Sequence, residues 1–397
     1  MIFRKPFEEI DQTDLMALIG LSETQELEFK KEPFERNDEG TREMLRDVAS
    51  FANASGGYIV IGVETGPESQ AINMAGVSNG EEESRRITDS CLANIEERIL
   101  GLKARPVSLT DGRFSILIHI PRSTRAPHMI TFRGLNQFWK RYGTMKSKMS
   151  VEEIKDACRI TMDLRKTLEE FLVERRSKVL TKARGRPSML ISATPLIVKD
   201  EVLDIFGREL RDLIQNPPYE RGGGWLIGGW QDIRPSLYGL TASGRRSDSV
   251  ELEVFRNAHV ELRLLIADRF IREIWKDNGM ESSLLYPFPL IEYPISFLHL
   301  VNKLYPTHGQ IDPCVIQLGL YNIKGYGLTE RLRPERIVSP PNFWSDEHLE
   351  IPAIQAQIPL DIEKTAKYLA DRLWNAFGFE KAPLFDQEGH FQPESVR

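Results

Sequence analysis

The chain has 397 residues, 41% of them hydrophobic and 28% charged, with a formal net charge of −6. That is ordinary globular usage, so composition excludes a disordered or fibrous chain, and the length accommodates two domains with separate cores. No apolar run reaches membrane-spanning length and the segment Met1 to Glu9 is charged throughout, so no membrane span or secretory leader is expected and a cytoplasmic location is.

The first informative stretch runs from Ser22 to Lys30. In a strand, the side-chain period of two sends Glu26, Glu28 and Lys30 to one face while Leu27 and Phe29 enter a core. Such a pattern serves equally as a solvated strand face or as half of an acidic site. Thr41 then reads as the N-cap of a helix with Met44, Leu45, Val48, Phe51 and Ala52 along one stripe. Gly56-Gly57 closes that helix, and Tyr58 to Val63 reads as a buried strand ending at Glu64. Acids brought together on adjoining strands repel one another unless a cation compensates them.

Phe114 to Ile120 is a further strand, stopped by Pro121. A polar loop follows, and then Gln137 to Thr144, where Phe138, Trp139 and Tyr142 alternate with Lys140 and Arg141. This pattern fits base stacking and phosphate pairing, or simply core aromatics beside a strand. Ser150 and Glu153 form a capping box that starts a helix. On it Ile160, Leu164, Leu168, Leu172 and Leu180 fall on or near one side. Residues 121–186 hold seventeen Lys or Arg against seven Asp or Glu, a balance of +10 that leaves −16 on the rest of the chain. Segregation of this kind lets a basic stripe attract phosphate while the remaining surface keeps the molecule soluble.

A boundary is expected at Ala183 to Ser188, where Gly185 and Pro187 end the helix and a strand pattern over 189–198 begins. Residues 250–255 and 260–265 read as a hairpin, and helices are expected near 294–304 and 361–377, the latter capped by Asp361. The glycine cluster from Gly222 to Gly229 lacks any Walker spacing and reads as a hairpin or close backbone packing, so no nucleotide cofactor is expected. Cys91, Cys158 and Cys314 have no paired spacing and read as small buried residues.

Ser22-Glu23, Leu27-Glu28-Phe29-Lys30, Phe51 to Glu64, Ile120 to Ser123 and Lys140 to Gly143, in this order, resemble the Schlafen AlbA_2 domain over roughly residues 14–158. The resemblance implies a metal-dependent endoribonuclease, a hydrolase in which Glu23, Glu28, Lys30 and Glu64 form the site. Glu23, Glu28 and Glu64 would then bind Mg²⁺ or Mn²⁺ and Lys30 would stabilise charge on the phosphorane. Where the family carries an aspartate, this chain has Glu64, one methylene longer and at a slightly different spacing. Arg122, Arg125, Arg133, Trp139, Lys140, Arg141, Tyr142, Lys146 and Lys148 are the expected nucleic-acid contacts.

The expected fold class is α+β. An N-terminal mixed α/β AlbA_2-like domain (1–158) leads through a basic linker helix (159–186) to a second α+β domain (187–397) that serves as a sensor or a dimerisation module. Two functions are left open. One is an RNA-cleaving enzyme with tRNA as favoured substrate, acting in antiviral defence or growth arrest. The other is a non-catalytic nucleic-acid-binding protein or transcription regulator. A homodimer would supply a second wall to the RNA groove, because only one lobe is recognisable here.

Overall fold

The computed structural model describes residues 2–3, 7–197, 201–219, 221, 224–244, 250–267, 270–277, 280–308, 313–328, 342–386 and 388–392; for 272–277 and 280 this covers the backbone alone. The chain is α+β and divides into two compact units, Met1–Thr167 and Leu168–Arg397.

In the first unit, helix α1 (Gln12–Met16) precedes strand β1 (Leu27–Lys30), helix α2 (Asp38–Ala52) and strand β2 (Gly57–Ile61). A hairpin of β3 (Val63–Thr65) and β4 (Ala71–Met74) leads to helix α3 (Gly80–Asn94) and the short strand β5 (Ile95–Glu96). Strands β6 (Lys103–Ser108), β7 (Phe114–Ile120), β8 (Met129–Ile130), β9 (Gln137–Tyr142) and β10 (Met145–Lys148) complete the unit, and helix α4 (Val151–Ala183) begins in it. One sheet has the order β1-β2-β7-β6, with β1 and β2 parallel across the α2 crossover; the other has the order β10-β9-β8-β5.

The central strand β2 is buried on both faces, which explains its unbroken apolar run. Ile59 and Ile61 pack with Met44, Leu45, Val48, Phe51 and Ala52 of α2, while Tyr58 and Val60 join Leu27, Phe29 and the N-terminal Phe3, Phe7 and Ile10. Helix α2 starts earlier than the Thr41 cap predicted from sequence. Asn37 is the N-cap, because its Oδ1 accepts from Gly40 N at 2.8 Å. At the other end Asn53 donates to the carbonyls of His128 and Trp139, both at 2.9 Å, and accepts from His128 N at 2.6 Å. This one side chain fixes the β8–β9 segment against the end of α2. The Ser150–Glu153 capping box forms as predicted, with Ser150 N donating to Glu153 Oε2 at 2.8 Å and Glu153 N to Ser150 Oγ at 3.2 Å. Helix α4 then runs unbroken, and the division between units falls inside it.

In the second unit, β11 (Ser188–Pro195), α5 (Arg208–Gln215), β12 (Asp232–Pro235), β13 (Gly239–Ser243), β14 (Val250–Phe255) and β15 (Val260–Leu265) come first. After them come β16 (Ile271–Asp277), β17 (Met280–Leu285), α6 (Pro287–Thr307), β18 (Cys314–Tyr321) and β19 (Gly327–Leu328). The last elements are β20 (Asn342–Phe343), β21 (His348–Glu350), β22 (Ile354–Ala356) and α7 (Ile362–Ala376). The main sheet has the order β12-β13-β14-β15-β11-β18-β21, with β22 also on β18. One face carries the core, in which Met189, Ile191, Leu262 and Leu320 pack with Phe297, Val301, Leu369 and Leu373 of α6 and α7.

The hairpin expected at 250–265 is β14–β15, and Asp361 caps α7 by accepting from Lys364 N at 3.1 Å. Helix α6 starts seven residues ahead of expectation, since Pro287 at its first turn has no N–H to leave unpaired. Cys158 is exposed where a buried thiol was expected, because the middle of α4 is open to solvent; Ile160, assigned to the packed stripe, is 54% exposed for the same reason. Gly224 makes a close approach, where a Cβ would meet Glu292 Oε1 at 2.5 Å; Gly222, Gly223 and Val198 lie outside the described residues.

Candidate nucleic-acid interface

Alternation along β1 directs Leu27 and Phe29 to one side and Glu28 and Lys30 to the other. Glu28 is only 8% exposed. Its Oε2 accepts from Arg141 Nη1 at 2.5 Å, and its Oε1 lies 3.1 Å from Lys30 Nζ. The Lys30 ammonium also lies 3.0 Å from Glu43 Oε1 and 3.0 Å from Asp47 Oδ2. Three carboxylates therefore surround one lysine. Burial alone would lower the Lys30 pKa, but Glu28 and Glu43 outweigh it and raise it above the usual lysine value. Asp47 is fully buried and its other oxygen pairs with Lys146, whose pKa burial and the Lys30 charge push down.

Glu43 and Asp47 were not among the residues singled out from sequence. They sit one turn apart on α2, and Asp47 lies three residues after Met44 and four before Phe51, inside the apolar stripe. An acid on the buried arc of an amphipathic helix was the signal available.

The other two acids implied by the resemblance have partners elsewhere. Glu23 Oε1 accepts from Phe29 N at 2.9 Å, a local bond that ties the approach to β1. Glu64 pairs with Lys31 at 2.7 Å and accepts from Asn73 at 3.0 Å, and the Lys31 ammonium holds its carboxyl below the usual range. Glu23, Glu28 and Glu64 are thus directed to three different partners. Among the described residues no group of three or more His, Cys, Asp or Glu side chains is placed to hold a metal ion. Where carboxylates do converge, on Lys30, their oxygens stand at 3.0 to 3.1 Å from its ammonium nitrogen. As placed, the cluster holds a lysine ammonium at its centre.

The basic residues expected to contact nucleic acid divide into two sets. In the β9–β10 register Arg141 faces Lys146 and Trp139 faces Lys148. The face holding Arg141 and Lys146, and with them Trp139 and Lys148, turns toward α2, where Arg141 is 2% exposed and stacks on Phe51 at 4.4 Å. Arg141 and Lys146 neutralise the acids of the unit's own interior. Trp139 lies between Arg46 at 5.1 Å and Lys148 at 6.0 Å. Lys148 and Tyr142 are exposed, Lys140 sits over the Tyr142 ring at 5.6 Å, and neither lysine enters an ion pair among the described residues. Arg122 is also exposed, Arg125 is half-buried with Ser123 Oγ accepting from its backbone N–H, and Arg133 pairs with Asp38.

The sequence profile of the Schlafen, AlbA_2 domain matches residues 23–150, the stretch from β1 to β10. No curated protein matches the chain. Among solved structures, the DIP2311 protein from Corynebacterium diphtheriae is similar at 13% identity over 32% of this chain and 25% of that one, with a TM-score of 0.23. The N-terminal domain of an ATP-dependent DNA helicase RecG-related protein from Nitrosomonas europaea is similar at 18% identity over 35% of this chain and 88% of that domain, with a TM-score of 0.26. The chain thus spans a quarter of the length of the Corynebacterium protein. Among the described residues no helix is long and apolar enough to cross a membrane. With the profile match lying over the same strands and helix that carry the Glu28–Lys30 cluster, residues 23–150 belong to the Schlafen AlbA_2 domain family.

Proposed function

We propose that the first unit binds RNA through the basic and aromatic residues of the β9–β10 hairpin that reach the surface, Lys140 and Tyr142 on one face and Lys148 at the strand end of the other, together with the Arg122 loop. The observation that carries this reading is the division of the basic residues on one hairpin. Arg141 and Lys146 are satisfied internally, whereas Lys148 is exposed over Trp139 and the half-buried Lys140 lies over the Tyr142 ring, neither in an ion pair among the described residues. The two ammonium groups supply phosphate pairing, and the exposed Tyr142 ring supplies a surface that can stack on a base. The test is fluorescence anisotropy with a labelled tRNA across a salt series. Wild type is expected to bind with an affinity that falls as salt rises, and Lys140→Ala/Lys148→Ala to bind at least about tenfold more weakly with a shallower salt slope. Equal binding by the double variant would remove this surface from the reading.

A second reading, cleavage of the bound RNA at the Glu28–Lys30 cluster in a defence or growth-arrest role, is favoured by the three carboxylates gathered on one ammonium. Incubating total RNA with Mg²⁺, Mn²⁺ or chelator tests it. Cleavage by wild type that disappears in Glu28→Gln while RNA binding persists supports it; cleavage unchanged in Glu28→Gln ends it. Either reading admits a second copy of the chain as the opposite wall of the groove. A monomer by sedimentation velocity that binds RNA with full affinity would exclude that copy.

A further inference from the structure

The second unit has a partly open cavity of about 300 Å³ between residues 169–176 of α4 and the sheet face opposite the core. Its floor is set by strand register. Gln317 of β18 pairs with Ser192 of β11, Ser192 with Glu261 of β15, and Glu261 with Glu253 of β14, so one row of polar side chains crosses four strands. A row of this kind ordinarily faces water. Here α4 covers it, and Ser192, Glu261 and Arg175 are 4%, 3% and 7% exposed.

Buried polar groups are stable when matched, and the charges in this wall are matched. Arg175 donates to Glu261 from Nε at 3.1 Å and from Nη2 at 2.5 Å, and to Glu253 from Nη2 at 3.0 Å. His259 Nε2 lies 3.0 Å from Glu261 Oε2, and Arg176 pairs with Glu350. Three polar groups are left over. The Ser192 hydroxyl and the Gln317 carboxamide make no hydrogen bond among the described residues, and Arg175 Nη1 takes part in none of the bonds above. The apolar side chains of the wall include Leu172 and Leu190.

We infer that this cavity binds an uncharged molecule of nucleoside size. Its volume lies at the lower end of the roughly 300–1,000 Å³ usual for small-molecule sites, which excludes an oligonucleotide. Ser192 and Gln317 together offer donors and acceptors, Arg175 Nη1 offers donors, and the apolar side chains accept the flat face of a base. With Arg175 and Arg176 already paired to carboxylates and the exposed Glu169 also lining the cavity, no free cation receives a phosphate. The site therefore selects a nucleoside over its monophosphate.

Calorimetry and thermal unfolding of the full chain with adenosine, guanosine, cytidine and uridine, each beside its 5′-monophosphate, test this. At least one nucleoside is expected to bind at one per chain and raise Tm, with its monophosphate at least tenfold weaker. Ser192→Ala and Gln317→Leu are each expected to weaken that binding at least fivefold without changing the unliganded Tm by more than a few degrees. Gln317 is half-buried, so Gln317→Leu keeps the measurement interpretable should Ser192→Ala unfold the unit. No binding by any of the four nucleosides, a monophosphate that binds as tightly, or wild-type affinity in Gln317→Leu would each overturn the assignment.

Discussion

Arg141 and Lys148 lie on the same hairpin and meet opposite surroundings. The guanidinium of Arg141 is enclosed beside Glu28 and Phe51, while the Lys148 ammonium reaches solvent over Trp139. Removing one partner of a buried ion pair leaves the other charged and unsolvated, so Arg141→Ala is expected to lower stability by about 3–5 kcal/mol in urea titration. Lys148→Ala removes no buried contact and is expected to stay within about 0.5 kcal/mol of wild type. Equal stability of the two variants would mean that the Glu28 network does not hold the unit together. Sequence made Glu28 and Lys30 legible, because a strand period of two puts them on one face. It could not separate Arg141 from Lys140, since which face of β9 meets α2 depends on Asn53 gripping the His128 and Trp139 carbonyls, a contact made between residues 75 and 86 positions apart. Asp47 was hidden for a related reason: a single acid in an apolar stripe shows its purpose only when the lysines of two other strands arrive beside it.

At the scale of elements, the β1–α2–β2 crossover depends on a glycine pair. Gly57 has φ +144, and a Cβ there would meet the Glu26 carbonyl oxygen at 2.2 Å, just where β1 enters its parallel pairing with β2. Gly57→Ala is therefore expected to cost at least about 2 kcal/mol by combined strain and backbone clash and to loosen Glu28 and Lys30 with the strand that carries them. Hydrogen exchange over residues 24–31 checks it; wild-type protection there would show that the strand entry tolerates a side chain. Sequence marked this pair as the end of α2, and it marked the α2 stripe, β7 and the Ser150 capping box for the same reason. Each is a local pattern whose burial needs no distant partner to be read. The start of α2 was misplaced because Asn37 and Thr41 both offer a capping oxygen one turn apart, and the backbone decided between them.

Across the whole molecule, each unit contains an ionisable group shifted strongly by its surroundings, and the two titrate in different ranges. In the first unit burial, reinforced by Lys103, pushes His119 down to about 4 from 6.5, beside Phe7 and Tyr58. Below pH 6.5 the unfolded chain takes up a proton that folded His119 refuses, so its contribution is complete above pH 6.5 and is lost as pH falls to 4. In the second unit burial would raise Glu261, but His259 and Arg175 outweigh it and hold the carboxyl at about 2 against an ordinary 4.5. That contribution is present above pH 4.5 and fades as pH falls toward 2. Each is worth on the order of 3 kcal/mol at 1.4 kcal/mol per pKa unit. Urea unfolding of the full chain between pH 7 and 3, with pulse proteolysis and mass spectrometry assigning fragments to units, is expected to weaken the first unit by pH 5 and to weaken the second most steeply below pH 4.5, where Glu261 loses its charge. His119→Gln should reduce the first unit's dependence, His128 retaining a share of it, and leave the second unit's unchanged, and Glu261→Gln should do the reverse below pH 4.5. A single transition that shifts equally in both units, and equally in both variants, would show that neither group sets its own unit's acid stability.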